Sequence, residues 1–227
     1  MRTSIVLLTL LLASCSFYDR SAPPGGEEWT LEFPSDTDAT TAQATLDALQ
    51  ARIKPAGWRW AEFALDGTTA SLRVGPLDDF NRPVLKRLIT RPYLLELFIV
   101  PTGADPATWE RSGAPIFTGA DVVESYIEDM RKGTRLSLTV TKEAAARLFQ
   151  ATNPSGGGLV VFVDGEREMA THVAAPLRGR IVKLTPAGDD KDAIHLRAIE
   201  LISTVKAGPV ETVPSLGETT LWGEPAK

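Results

Sequence analysis

From residue 29 onward the apolar residues fall into short runs whose period switches between two and about 3.6, the signature of strands alternating with amphipathic helices. Residues 29–33 read as a strand. Ala42, Leu46, Leu49 and Ile53 then recur at helical spacing behind the cap candidates Thr40 and Thr41, up to the stop Pro55-Ala56-Gly57. Residues 59–65 and 69–74 flank Asp66-Gly67, a hairpin dipeptide, and Ala70, Leu72 and Val74 alternate with Ser71 and Arg73. Val84, Leu85, Leu88 and Ile89 mark a second helix behind Asn81-Arg82-Pro83, and residues 94–100 form an almost unbroken apolar strand.

The order strand, helix, strand, strand, helix, strand predicts an α+β fold that begins with a ferredoxin-like βαββαβ base over residues 29–101. Residues 102–114 are rich in turn formers and read as a connector whose Gly and Pro content predicts mobility. A second α+β unit, a head subdomain, follows over residues 115–207. It holds a strand at 122–130, then Leu136, Leu138 and Val140 in alternation, and a helix capped by Thr141 that buries Ala145, Leu148 and Phe149. A strand at 159–163, the turn Asp164-Gly165, strands near 169–173 and 181–184, and a helix marked by Ile194, Ala198, Leu201 and Val205 complete it. Residues 208–227 read as a mostly irregular tail. Thr-Gly-Ala-Asp occurs at 102–105 and again at 118–121, as two turn or cap signals rather than a repeat.

Ahead of this body, Met1-Arg2 is a minimal positive region, and residues 5–12 are an apolar run that leads to small residues before Cys15. The eight residues of that run span roughly 12 Å as a helix, far short of a hydrocarbon core of about 30 Å. Residues 1–14 are therefore expected to be a cleaved secretory signal. Leu12-Ala13-Ser14-Cys15 resembles the bacterial lipobox, which implies a diacylglycerol on the Cys15 thiol and a further acyl chain, such as palmitate, on the new amine. Several chains make a stable anchor where one is marginal. The alternative is a plain signal peptide with an incidental cysteine, but the only cysteine of the chain stands at the lipobox position. Ser16, rather than aspartate, after it implies the outer membrane slightly more than the inner. Residues 15–28, with Pro23-Pro24-Gly25-Gly26, read as a flexible tether.

Composition narrows the chemistry. With 43% apolar and 23% charged residues the chain is an ordinary globular protein, neither fibrous nor disordered. Loss of residues 1–14, which carry only Arg2, leaves 23 basic against 29 acidic residues, a net charge of −6. Without a dense Lys/Arg run, nucleic acid is not an expected partner. One cysteine and two histidines give no metal-ligand cluster of the usual spacing, and no nucleotide-binding or nucleophile-elbow motif occurs. Gly156-Gly157-Gly158 precedes a strand, where a phosphate cradle would need a helix, so it reads as a flexible loop. His172 and His195 stand alone and read as structural. Asp78-Asp79 and Asp189-Asp190 precede helices, where acids complement the helix dipole. Trp58 and Trp60 share one side of a strand, as a binding platform or as a sheet face. No catalytic residue, cofactor or metal site is assigned; Cys15 is the one site residue, for lipidation.

A family resemblance carries further. The segments Gly113-Ala-Pro-Ile-Phe-Thr-Gly-Ala-Asp-Val-Val123, Leu136-Ser-Leu-Thr-Val-Thr-Lys-Glu-Ala-Ala-Ala-Arg-Leu-Phe149 and Leu159-Val-Val-Phe-Val-Asp-Gly-Glu166 stand in the order of the first periplasmic domain of the SecD protein-export family. That domain carries P-I-x-T-G-x-D, E-x-A-x-x-F and L-A-I-V-L-D-G-E. Upstream, Leu46-Asp-Ala-Leu-Gln-Ala-Arg-Ile53 and Leu94-Leu-Glu-Leu-Phe98 are similar to the family's A-x-x-I-x-x-R-I/V helix and L-L-E-F strand. The resemblance covers residues 42–208. It implies a base and a mobile head that contacts emerging polypeptide, without the family's proton-conducting membrane helices. After Glu166 the family's short I-S-A-P is replaced by a run that reaches Ala174-Ala175-Pro176.

The resulting expectation is a lipid-anchored, non-enzymatic periplasmic binding module. Its expected partners are exported or unfolded polypeptide or Sec translocase subunits, with the membrane held through Cys15. The alternative is a structural or partner-binding envelope lipoprotein with no export role.

Overall fold

A strand that buries alternate residues needs a sheet with one solvated face, and the first strand is of this kind: Trp29 and Leu31 are buried while Thr30 and Glu32 are not. The computed structural model describes residues 25–54, 60–130, 133–153, 157–186, 188 and 190–222. The first part of the chain gives β1 (Gly26–Glu32), α1 (Ala39–Ile53), β2 (Ala61–Asp66), β3 (Thr69–Val74), α2 (Asn81–Thr90) and β4 (Leu95–Val100). The second gives β5 (Phe117–Thr118), β6 (Val122–Met130), β7 (Gly133–Val140), α3 (Lys142–Ala151), β8 (Gly157–Val163), β9 (Glu166–Val173), β10 (Ile181–Leu184), α4 (Lys191–Ala207) and β11 (Ser215–Trp222). These described elements make an α+β fold of four helices and three antiparallel sheets.

The first sheet has the order β11-β1-β3-β2. Its inner face packs Trp29, Leu31, Ala70, Leu72 and Val74 against Ala42, Leu46, Leu49 and Ile53 of α1 and Leu85 and Ile89 of α2. This is the ferredoxin-like strand order, with one correction. The fourth strand is β11, from the segment read as an irregular tail, and β4 leaves for another sheet. β4 is apolar on both sides: Leu95 and Leu97 join one core, Phe98 and Val100 another. Beside β1 it would push Phe98 and Val100 into water. β11 keeps Leu216 on the core and exposes Ser215 and residues 217–221, which suits the edge of a sheet solvated on one face. β1 also starts earlier than expected, at Gly26, inside the segment read as a tether, where pairing with β3 and β11 begins. The cap of α1 is Asp38, not Thr40 or Thr41: its carboxylate accepts from Thr41 N at 2.8 Å.

β4 lies inside the sheet β5-β4-β8-β9, and the third sheet is β10-β7-β6. Their inner faces share one core of Leu95, Leu97, Leu136, Leu138, Leu159 and Val161 with α3 and α4. On the outer face of β4 and β8, Phe98 and Phe162 meet edge to face at 5.6 Å, and Trp109 of the connector lies 5.6 Å from Phe98. Side chains of β9, β4 and α3 contact the connector and the residues just after it. Arg167 donates to the carbonyls of Ala107 and Trp109, Arg111 pairs with Glu96 at 2.6 Å, and Arg147 donates to Ile116 O at 2.8 Å. Gly157 and Gly158 belong to this packing and not to a flexible loop. A Cβ on Gly158 would sit 2.0 Å from Pro106 Cγ, and one on Gly157 2.7 Å from Val100 O. The Asp164-Gly165 turn is as expected, with φ of 54° and 79°, the two positive values of a tight β-hairpin.

Candidate functional site

A cavity of about 490 Å3 opens between β9 and β10. Its floor is Leu148 of α3, Leu159 of β8 and Val173 of β9, and its mouth is bounded by the loop 174–180. The loop is tied to the end of α3. Leu177 N donates to Thr152 Oγ1 at 2.9 Å, and that hydroxyl donates to Leu148 O at 2.8 Å. The Arg178 guanidinium lies over the Phe149 ring, 5.7 Å from its centre. At the end of the loop Arg180 donates to Val140 O at 2.8 Å. Of the other cations at the rim, Lys183 is occupied by Glu128 at 2.9 Å. Arg178 has no carboxylate partner among the described residues. The cavity thus combines an apolar floor, two strand edges and the Arg178 guanidinium.

A second concentration of polar groups fixes where that groove stands relative to the first sheet. The Glu200 side chain on α4 is fully buried. It accepts from Arg87 of α2 at 2.9 and 3.0 Å, from Arg197 at 2.7 Å, and from the Tyr93 hydroxyl. Arg197 also pairs with Glu168 of β9. Burial alone would raise the Glu200 carboxyl, but the Arg87 and Arg197 guanidinia and the Tyr93 hydroxyl hold it below the ordinary carboxylate range. Burial and the facing Glu200 carboxylate push the Tyr93 phenol up, so it stays the donor. Tyr93 has a φ of 60°, costly for a bulky residue, and its ring lies 5.3 Å from the buried Arg52 guanidinium.

Arg52 joins three helix ends. It sits in the last turn of α1 and donates to Leu88 O and Arg91 O at the end of α2, to Pro92 O, and to Gly208 O at the end of α4, at 2.6 to 3.2 Å. Helix C-termini carry partial negative charge, so they suit a buried cation. Burial lowers its pKa to about 10, partly offset by Asp164, and it remains charged at neutral pH.

The residues singled out from the sequence are scattered. Cys15, Trp58, Gly156 and Asp189 lie outside the described residues. His172 lines the groove, and His195 Nδ1 is 3.4 Å from Thr134 Oγ1. Trp60 stands just before β2, and its carbonyl accepts from Gly75 N at 3.2 Å. Asp78 accepts from Phe80 N and Asn81 N at the start of α2, exposed Asp79 lies 3.7 Å from Arg82, and Asp190 accepts from Ala193 N at the start of α4. Thr118 and Asp121 form a reciprocal cap, one of the two outcomes expected of that Thr-Gly-Ala-Asp segment. Among the described residues no group of three or more His, Cys, Asp or Glu side chains is placed to hold a metal ion, and no helix is long and apolar enough to cross a membrane. Arg52, Tyr93 and Glu200 were not foreseen. A signal existed: Glu200 is the one charge in the otherwise uncharged run 198–205, and Arg52 lies three residues after the buried Leu49.

No family model matches this chain, and no curated protein matches it in sequence. Solved structures do. The crystal structure of SecDF in its super-membrane-facing form aligns with a TM-score of 0.64 at 19% identity, over 86% of this chain and 30% of that one. A structure of the membrane component SecDF that enhances protein export aligns with a TM-score of 0.59 at 18% identity, over 84% of this chain and 98% of that one. The chain thus spans under a third of the first SecDF chain and nearly all of the second. At such identities the likeness establishes a shared fold.

Proposed function

We propose that this protein is a lipid-anchored envelope module that receives exported or unfolded polypeptide in the groove between β9 and β10, with no chemistry of its own. The observation that carries the reading is that groove, about 490 Å3 with an apolar floor, on a fold shared with a component that enhances protein export. In this reading residues 29–101 act as base, completed by β11, and residues 115–207 as head. Cys15 carries the acyl chains and residues 16–25 join lipid to domain. Fold alone does not fix function, so the test addresses the groove directly.

A photo-reactive residue in place of Arg178 or Ile181, in living cells, is expected to capture many different exported chains or translocase subunits. The same residue in place of Glu166, which pairs with Arg91 at 2.9 Å at the junction of the two units, is expected to capture far fewer. Capture of one unrelated envelope protein from the groove positions would replace this reading with that of a structural envelope lipoprotein. The anchor is tested separately. Cys15→Ser is expected to leave the precursor unprocessed or the product released from membranes, and unchanged processing and fractionation would remove Cys15 as the lipid site.

A further inference from the structure

β9 and β10 are each the end strand of a sheet, β5-β4-β8-β9 on one side and β10-β7-β6 on the other. An end strand presents a row of main-chain N–H and C=O groups that its own sheet leaves unpaired, a template for another chain. Both edges line the one cavity, β9 through Thr171, His172 and Val173, and β10 through Ile181 to Leu184. Their flanks are open: Ala170, Thr171 and His172 are exposed, and Ile181 is 52% exposed. The other half of β9 is occupied, since Glu168 pairs with Arg197 and Arg167 reaches back to the connector.

We propose that the groove takes one extended segment of polypeptide as an added strand, paired through its main chain with the free edges of β9 and β10, so that the two sheets become continuous across the cavity. The inference rests on the polypeptide reading above and goes beyond it by naming what is recognised. Alternate side chains of the segment lie on the floor of Leu148, Leu159 and Val173, and the others face water. Main-chain pairing is blind to sequence, which a module that receives many chains requires. The one sequence-dependent feature is Arg178, which favours a carboxylate where the segment passes the loop 174–180. An acyl chain would fill the apolar floor but leave both edges unpaired, so the edges favour polypeptide.

The test puts the chemistry in the ligand, so that folding of the protein is not at stake. The chain from residue 15 onward with Cys15→Ser is titrated with a fluorescent peptide of about eight residues, long enough for one strand, with alternating Val and Thr and one Glu. A second peptide carries N-methyl groups on alternate amides. Each blocked hydrogen bond is expected to weaken binding roughly three- to tenfold. The unmodified peptide is expected to slow amide exchange at residues 170–173 and 181–184 together. Arg178→Ala is expected to weaken the Glu peptide and leave its Gln counterpart unchanged. Equal binding of methylated and unmodified peptides, without slowed exchange at the two edges, overturns strand addition and leaves the polypeptide reading standing. Displacement of the peptide by a fluorescent acyl chain, with exchange at both edges unchanged by the peptide, overturns it in favour of a lipid. If neither peptide binds, the polypeptide reading itself falls, and strand addition with it.

Discussion

Arg52→Ala is expected to destabilise the folded protein by about 4 kcal/mol, a fall of roughly 8–16 °C in unfolding temperature for a domain of this size. The side chain is fully buried, and its two terminal nitrogens serve four carbonyls from two segments, Leu88, Arg91 and Pro92 in one and Gly208 in the other. Alanine takes a donor from each of those oxygens, Pro92 O keeping Val210 N at 3.1 Å, and opens a cavity under the Tyr93 ring. Arg52→Met separates the two effects. It restores most of the volume and none of the hydrogen bonds, so most of the loss is expected to remain. Thermal unfolding followed by circular dichroism decides it. A loss under about 1 kcal/mol for alanine, far below the cost of orphaned buried groups, or wild-type stability for methionine, would show that the carbonyls find other partners.

Glu200→Ala is expected to cost about 3–5 kcal/mol, because it leaves the Tyr93 hydroxyl without its acceptor in the interior and takes the buried carboxylate from Arg87 and Arg197, the latter keeping only Glu168. The Tyr93 hydroxyl would have no acceptor to hold it, and its φ of 60° would no longer be compensated. The same carboxylate gives a pH signature. Its folded pKa lies below the ordinary value of 4.5, so the stability it confers is fully present above that value and is lost as pH falls through the folded one. Wild-type stability is therefore expected to drop below about pH 4.5 more steeply than that of Glu200→Gln, which has no proton to take up there. Parallel pH profiles for the two proteins would show that Glu200 is not the carboxylate responsible.

The two cores explain why Arg52 and Glu200 matter. α2 carries two apolar stripes: Leu85 and Ile89 face the first sheet, and Val84 and Leu88 face the core shared by the other two. α4 packs on α1 and α2 and also on β6 and β7, and Glu200 links it to Arg87 of α2 and, through Arg197, to β9. The groove between β9 and β10 is thus carried on a frame fixed to the first sheet by buried charge. Glu27 repeats the device at the other end of α2. It is buried, accepts from Trp29 Nε1 at 2.9 Å and pairs with Arg82.

Most of the elements and the α+β class are legible in the sequence. The Asp164-Gly165 turn, the Thr141 cap and the alternation of Leu136, Leu138 and Val140 are local signals, written within a few residues of where they act. It also carried the resemblance whose fold the SecDF structures share. Only the tertiary structure decided which strands pair. A hydrogen-bonded ladder joins segments far apart in the chain, and nothing local to the apolar run 94–100 names its partner strands. Its two-sided hydrophobicity was the legible clue that it belongs between two cores, and the polar segment 215–222 took the solvated edge it vacated. The groove was illegible for the same reason. Its walls are two strand ends from two sheets, and its floor comes from Leu148, Leu159 and Val173, which only packing brings together.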